Sequence, residues 1–86
     1  YELASKLEIK RWMAENLVYL ARLALIENQY DKAKLYLTEG EEISKTYKYN
    51  QLLLDHYREF SNLYNRSEDF QNASNYQNRY ITLKDS

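Results

Sequence analysis

The chain offers little material for catalysis. His56 is its one histidine and it has no cysteine, so a Ser-His-Asp or Cys-His arrangement would rest on a single residue. His56 lies between Asp55 and Tyr57 on a helical stretch, where a packed or solvated imidazole is the ordinary role. Glu39, Glu41 and Glu42 form an acidic run. With no histidine and no glycine-bearing loop beside it, that run reads as a solvated helix face and not a metal site. A lone glycine, Gly40, excludes a glycine-rich phosphate loop. No catalytic residue, metal or cofactor is expected, and the segment reads as a non-enzyme.

Composition narrows the architecture that could hold any site. Eighty-six residues make one small domain. An apolar fraction of 44% with 29% charged residues is that of a folded chain and not of a disordered tail. No window of about 18 apolar residues exists to span a membrane. Zero prolines and one glycine leave almost nothing from which to build the turns of a β-rich fold. The net charge is −1, spread evenly enough that no basic stripe can follow a phosphate backbone, so nucleic acid is not an expected partner of this segment. Ten tyrosines are the compositional oddity. A tyrosine buries a large ring and keeps its hydroxyl in water, which suits half-buried positions between helices.

Apolar spacing predicts four helical segments. The first covers about 10–27, through Trp12, Met13, Leu17, Leu20, Leu23 and Ala24. The second is expected to start at Asn28 as N-cap, with Asp31 in its first turn, and to run through Ala33, Tyr36, Leu37 and Ile43 to about Tyr47. The third covers 51–66, with Leu53, Leu54, Tyr57, Phe60, Leu63 and Tyr64. Ser67 is the expected cap of the fourth, which carries Phe70, Ala73, Tyr76, Tyr80 and Leu83. Residues 1–8 read as the last turns of a preceding helix.

Sliding the chain against itself by 40 residues repeats residue classes. Leu17 falls on Tyr57, Leu20 on Phe60, Ala21 on Ser61 and Leu23 on Leu63. Beyond them Tyr30 falls on Phe70, Ala33 on Ala73, Tyr36 on Tyr76 and Ile43 on Leu83. Leu3 falls on Ile43 in the same register. Two helices in a fixed period of this size are the signature of an α-solenoid.

These residues resemble the tetratricopeptide repeat (TPR). The first unit supplies Leu17, Leu20-Ala21, Tyr30 and Ala33; the second supplies Tyr57, Phe60-Ser61, Phe70 and Ala73. In such a unit Ala21 and Ser61 let the paired helices approach, Ala33 and Ala73 fill the facing position, and Tyr30 and Phe70 fill the elbow. The match departs from the family in its period, longer than the usual 34 or so residues. Lys45 and Asp85 also stand where a terminal proline is usual, and Tyr80 stands where the first unit has Gly40. The resemblance implies an all-α fold: an α-α solenoid, or TPR-like superhelix, of two antiparallel helix pairs preceded by a helix remnant. Its parts are the end of a preceding helix over 1–8, a first repeat over 10–47 and a second over 50–84. Because about three repeats are the usual minimum for stability, the chain is expected to be a piece of a longer protein, able to self-associate through exposed solenoid ends.

The resemblance also implies a function. The first helix of each TPR unit lines a concave groove, and the family's groove positions fall on Glu15, Val18, Tyr19, Arg22 and Leu25, then on Asp55, Arg58, Glu59, Asn62 and Asn65. A protein or peptide is the implied partner, held by an apolar end near Val18, Tyr19 and Leu25 and a polar end near Arg58, Glu59 and Asn62. The closing words Tyr80-Ile81-Thr82-Leu83-Lys84-Asp85-Ser86 are similar to the last repeat of bacterial regulators whose TPR region precedes a coiled coil and a histidine-kinase or DNA-binding output. That likeness implies a sensory or protein-interaction module, periplasmic or cytoplasmic, of a kind found within membrane-anchored regulators. A free-standing scaffold or co-chaperone-like protein binding peptide termini is the alternative.

Overall fold

The computed structural model describes residues 2–86, with side chains from Ser5 onward. Tyr1 of the expected remnant, and the Leu3 side chain of the 40-residue comparison, lie outside the described residues. Among these residues there are four α-helices and no strand: α1 (Glu2–Ile26), α2 (Tyr30–Thr46), α3 (Asn50–Arg66) and α4 (Phe70–Asp85).

The separate helix remnant is not observed, because α1 runs unbroken through Glu8, Ile9 and Lys10. Nothing there stops a helix: no glycine, no proline and no capping side chain interrupts it.

Three turns of identical build reverse the chain. In each, the middle residue adopts left-handed backbone: Asn28 at φ 61°, Lys48 at 58° and Glu68 at 63°. The amide after it reaches back across the helix end, from Gln29 to Ala24 O, Tyr49 to Ser44 O and Asp69 to Tyr64 O, each at 2.8 Å. This Schellman closure satisfies carbonyls that a helix end otherwise leaves open. Successive helices consequently begin at Tyr30, Asn50 and Phe70, every 20 residues.

Two expected caps are corrected by this geometry. Asn28 is the left-handed turn residue and not the N-cap, which is Gln29, with no side-chain bond. Ser67 closes α3, its Oγ donating to Leu63 O at 3.0 Å, while Asp69 caps α4 by accepting from the Asn72 amide at 3.3 Å. Serine and asparagine suit both ends of a helix, so type alone could not choose.

Cross-chain bonds fix the directions. Tyr49 Oη donates to Leu7 O at 2.6 Å, joining the start of α1 to the end of α2. Arg66 Nη1 donates to Leu25 O at 3.2 Å, so α1 and α3 run the same way. Ser61 Oγ reaches Ala73 O at 3.3 Å and Arg58 reaches Tyr80 Oη at 3.0 Å, which makes α3 and α4 antiparallel. Each helix packs on the next, α1 also packs on α3, and the backbone of α4 approaches α3 alone. The result is flat, with Cα extents of 46 × 31 × 13 Å. Its radius of gyration of 13.1 Å exceeds the roughly 12 Å of a compact domain this long.

The core joins Val18, Ala21, Ala24 and Leu25 of α1 to Ala33 and Leu37 of α2 and to Phe60 and Leu63 of α3. Ala21 and Ala33 are fully buried, as close packing of the first pair requires, and Ala73 is buried in the second. Tyr76 stacks on Phe60 with ring centroids 4.3 Å apart and on Tyr64 at 5.7 Å, so tyrosines seal the α3–α4 seam. Phe70 corrects the expected elbow packing: it stands 64% exposed.

Candidate binding surface of α1, α3 and α4

The ten expected groove residues separate into three groups. Val18 and Leu25 are buried in the core and so are not an apolar groove wall. Spaced seven apart on α1, they form the seam on which α3 lies. Glu59 is likewise buried. Its Oε2 accepts from Arg22 Nε at 2.8 Å and its Oε1 from Asn62 Nδ2 at 3.3 Å. The carboxylate is thus consumed in tying α1 to α3 and is not a free rim charge. Arg22 is the half-exposed partner of that bridge.

Glu15 and Tyr19 stand apart from the rest. Glu15 is exposed and pairs with Arg11 one turn away at 3.3 Å. Tyr19 is 65% exposed. Asp55 is half-buried beside His56.

Arg58, Asn62 and Asn65 do come together. With Tyr57, Ser61, Gln77 and Tyr80 they line a cleft of about 340 Å³ between α3 and α4. Arg58 also lies over the Tyr80 ring, 5.5 Å from its centroid. Their shared hydrogen bond favours the charged guanidinium, raising the Arg58 pKa, and lowers that of the Tyr80 phenol. A smaller hollow of about 200 Å³ lies between α1 and α3, where Asn62 is shared with Arg22, Leu25 and Glu59.

Tyr57, Ser61 and Tyr80 were expected only as repeat positions and Gln77 not at all, although the 40-residue shift carried the signal. The seven cleft residues fall on Leu17, Val18, Ala21, Arg22, Leu25, Leu37 and Gly40. Six of these are buried where the first helix pair receives α3. The second pair therefore repeats that receiving seam with polar side chains: Arg58 for Val18, Asn65 for Leu25 and Gln77 for Leu37. Tyr80 occupies the place of Gly40.

His56 is fully buried at the seam between the helix pairs. Its Nδ1 lies 2.7 Å from Leu52 O and donates to it as the N–H tautomer. Nε2 is buried without a protein partner, and burial lowers the imidazole pKa. Of the acidic run, Glu41 binds Lys45 at 3.0 Å and lies 3.8 Å from Arg79. Among the described residues no cluster of three His, Cys, Asp or Glu is disposed to hold a metal ion.

Comparison with protein-family models, with curated proteins and with solved structures finds no match.

Proposed function

We propose that this chain is a non-catalytic protein- or peptide-interaction module. In this reading its two helix pairs form a TPR-like α-solenoid, the sensory region of a bacterial histidine kinase or transcriptional regulator. The observation that carries it is the relation between the two receiving seams. One is apolar and filled by α3; its counterpart 40 residues on is polar and open. A seam that only had to end the stack would need no converging donors. Arg58, Asn62, Asn65 and Gln77 supply a cation and three amides within one cleft, suited to the carbonyl and carboxylate oxygens of a peptide. The bacterial signalling assignment draws on the resemblance of Tyr80–Ser86 to the terminal repeat of such regulators.

The withdrawal of Val18 and Leu25 into the core revises the expected ligand. The polar end of the groove remains, and the ligand is an extended or helical peptide recognised through an acidic group at α3–α4. Calorimetric titration with peptides ending in acidic residues tests this. Binding that is lost in Arg58→Ala and retained in Glu15→Ala supports the cleft; equal affinity in both variants refutes it.

A further inference from the structure

The side of α1 opposite Val18 and Leu25 carries an apolar stripe that nothing among the described residues covers. Ile9, Trp12, Leu20 and Leu23 lie along it, 41% to 64% exposed, with half-buried Asn16 at its centre. The spacing is symmetric about Asn16. Trp12 and Leu20 stand four residues to either side, and Ile9 and Leu23 seven to either side. At 100° per residue all five fall within about 40° of one line along the helix.

A stripe with that symmetry is self-complementary. We propose that a second copy of this chain docks on it, α1 against α1 in antiparallel register, with the two-fold axis at Asn16. A two-fold interface requires that residue i meet j while j meets i. Here Trp12 comes level with Leu20 of the second copy, Ile9 with Leu23, and Asn16 with Asn16. Asn16 Nδ2 donates to Trp12 O of its own helix at 3.1 Å, and its second N–H and its Oδ1 are left to exchange hydrogen bonds across the axis and fix the register, as one polar residue in an apolar helix seam does elsewhere.

Four observations support this occupant and arrangement. First, of the stripe's counterparts after the 40-residue shift, His56, Phe60 and Leu63 are buried and Tyr49 and Leu52 half-buried, so a face of this build packs against helices. Second, an apolar hollow of about 370 Å³ beside the stripe, lined by Trp12, Met13, Leu17 and Leu20, can receive a large side chain from the second copy. Third, charge selects the antiparallel sense: it sets Glu27, which ends the stripe, beside uncharged Ser5, whereas parallel pairing opposes Glu27 to itself. Fourth, covering the four apolar side chains on both copies removes on the order of 1,000 Å² from water, the threshold of a specific interface. Head-to-tail docking lacks this complementarity. The far face of the chain is the polar α3–α4 cleft, where Tyr80 fills the place that Gly40 leaves to His56. The association therefore closes at two copies.

The inference is independent of the peptide reading, because it uses α1 and not the α3–α4 cleft. It is tested on the 86-residue chain, which has a single tryptophan and no cysteine. Sedimentation should give a concentration-dependent monomer–dimer equilibrium, with Trp12 emission shifting to the blue as dimer forms. Leu20→Glu should weaken the dimer at least tenfold with helical circular dichroism unchanged. Asn16→Cys should form a disulfide-linked dimer on mild oxidation, while Leu35→Cys, on an exposed site of α2, should not. A monomer at every concentration, an open-ended series of larger species, or a wild-type dimer that Asn16→Cys fails to trap would each overturn the proposal.

Discussion

Gly40 on α2 presents bare backbone to the imidazole of His56 on α3: a Cβ at position 40 would overlap the ring. This contact lies where the two helix pairs meet, and it is the reason the only glycine sits inside a helix. Glycine there costs about 1 kcal/mol of helix propensity, which the close approach of α3 offsets.

Gly40→Ala should therefore destabilise the chain despite alanine's better propensity. Overpacking against a ring held by its own helix costs about 1–3 kcal/mol. Urea denaturation should show the midpoint falling, with partial recovery in Gly40→Ala/His56→Ala. An unchanged or raised midpoint in the single variant would show that α2 and α3 are not in this contact.

The same histidine predicts an acid limb of stability. Burial depresses the folded pKa of His56, opposed by the Leu52 carbonyl and by Asp55, Glu41 and Glu59. The unfolded chain then binds a proton near pH 6.5 while the folded one does not. Stability should be full above that pH and fall below it by at most about 1.4 kcal/mol per pH unit until the folded pKa is reached. His56→Gln should flatten the profile between pH 6.5 and 5, as followed by thermal melts across that range.

The 20-residue rhythm of turns was legible only in part. Helix spacing predicted the second and third helices to within about two residues, and the 40-residue shift of residue classes pointed to the paired build. The left-handed positions were hidden because Lys48 and Glu68 fill them where glycine would have announced them. Burial of Val18, Leu25 and Glu59 was hidden for another reason. It depends on how one pair lies on the next, which no single helix's periodicity encodes. Arg58, Asn62 and Asn65 were expected because the TPR resemblance places groove positions on the first helix of each unit; Gln77 and Tyr80 were missed because the cleft also needs α4.

Those turns predict stabilising substitutions. Left-handed backbone costs a non-glycine residue about 1–2 kcal/mol, and glycine returns part of this as unfolded-state entropy. Glu68→Gly or Lys48→Gly should gain a net few tenths to about 1 kcal/mol, raising Tm by up to about 8 °C. Asn28→Gly should gain less, because asparagine tolerates the conformation. Melting curves of the three variants give the ranking.

The Arg22–Glu59 bridge predicts an asymmetry. Arg22→Ala leaves a buried carboxylate with Asn62 alone, and stranding a buried charge costs about 3–5 kcal/mol. Glu59→Gln leaves a half-exposed guanidinium that water can reach, so its cost should be about 1–2 kcal/mol. Tyr19→Ala, by contrast, removes a 65% exposed ring and should cost little. Chemical denaturation of the three variants should give Arg22→Ala the lowest midpoint.

The central claim is that the polar seam between α3 and α4 is the site of recognition. It is tested most directly by amide chemical-shift mapping of the 86-residue chain during titration with an acidic-ended peptide. The account predicts saturable shifts concentrated at Arg58, Ser61, Asn62, Asn65, Gln77 and Tyr80, abolished by Arg58→Ala. Saturable shifts elsewhere, with those six resonances still, would contradict it.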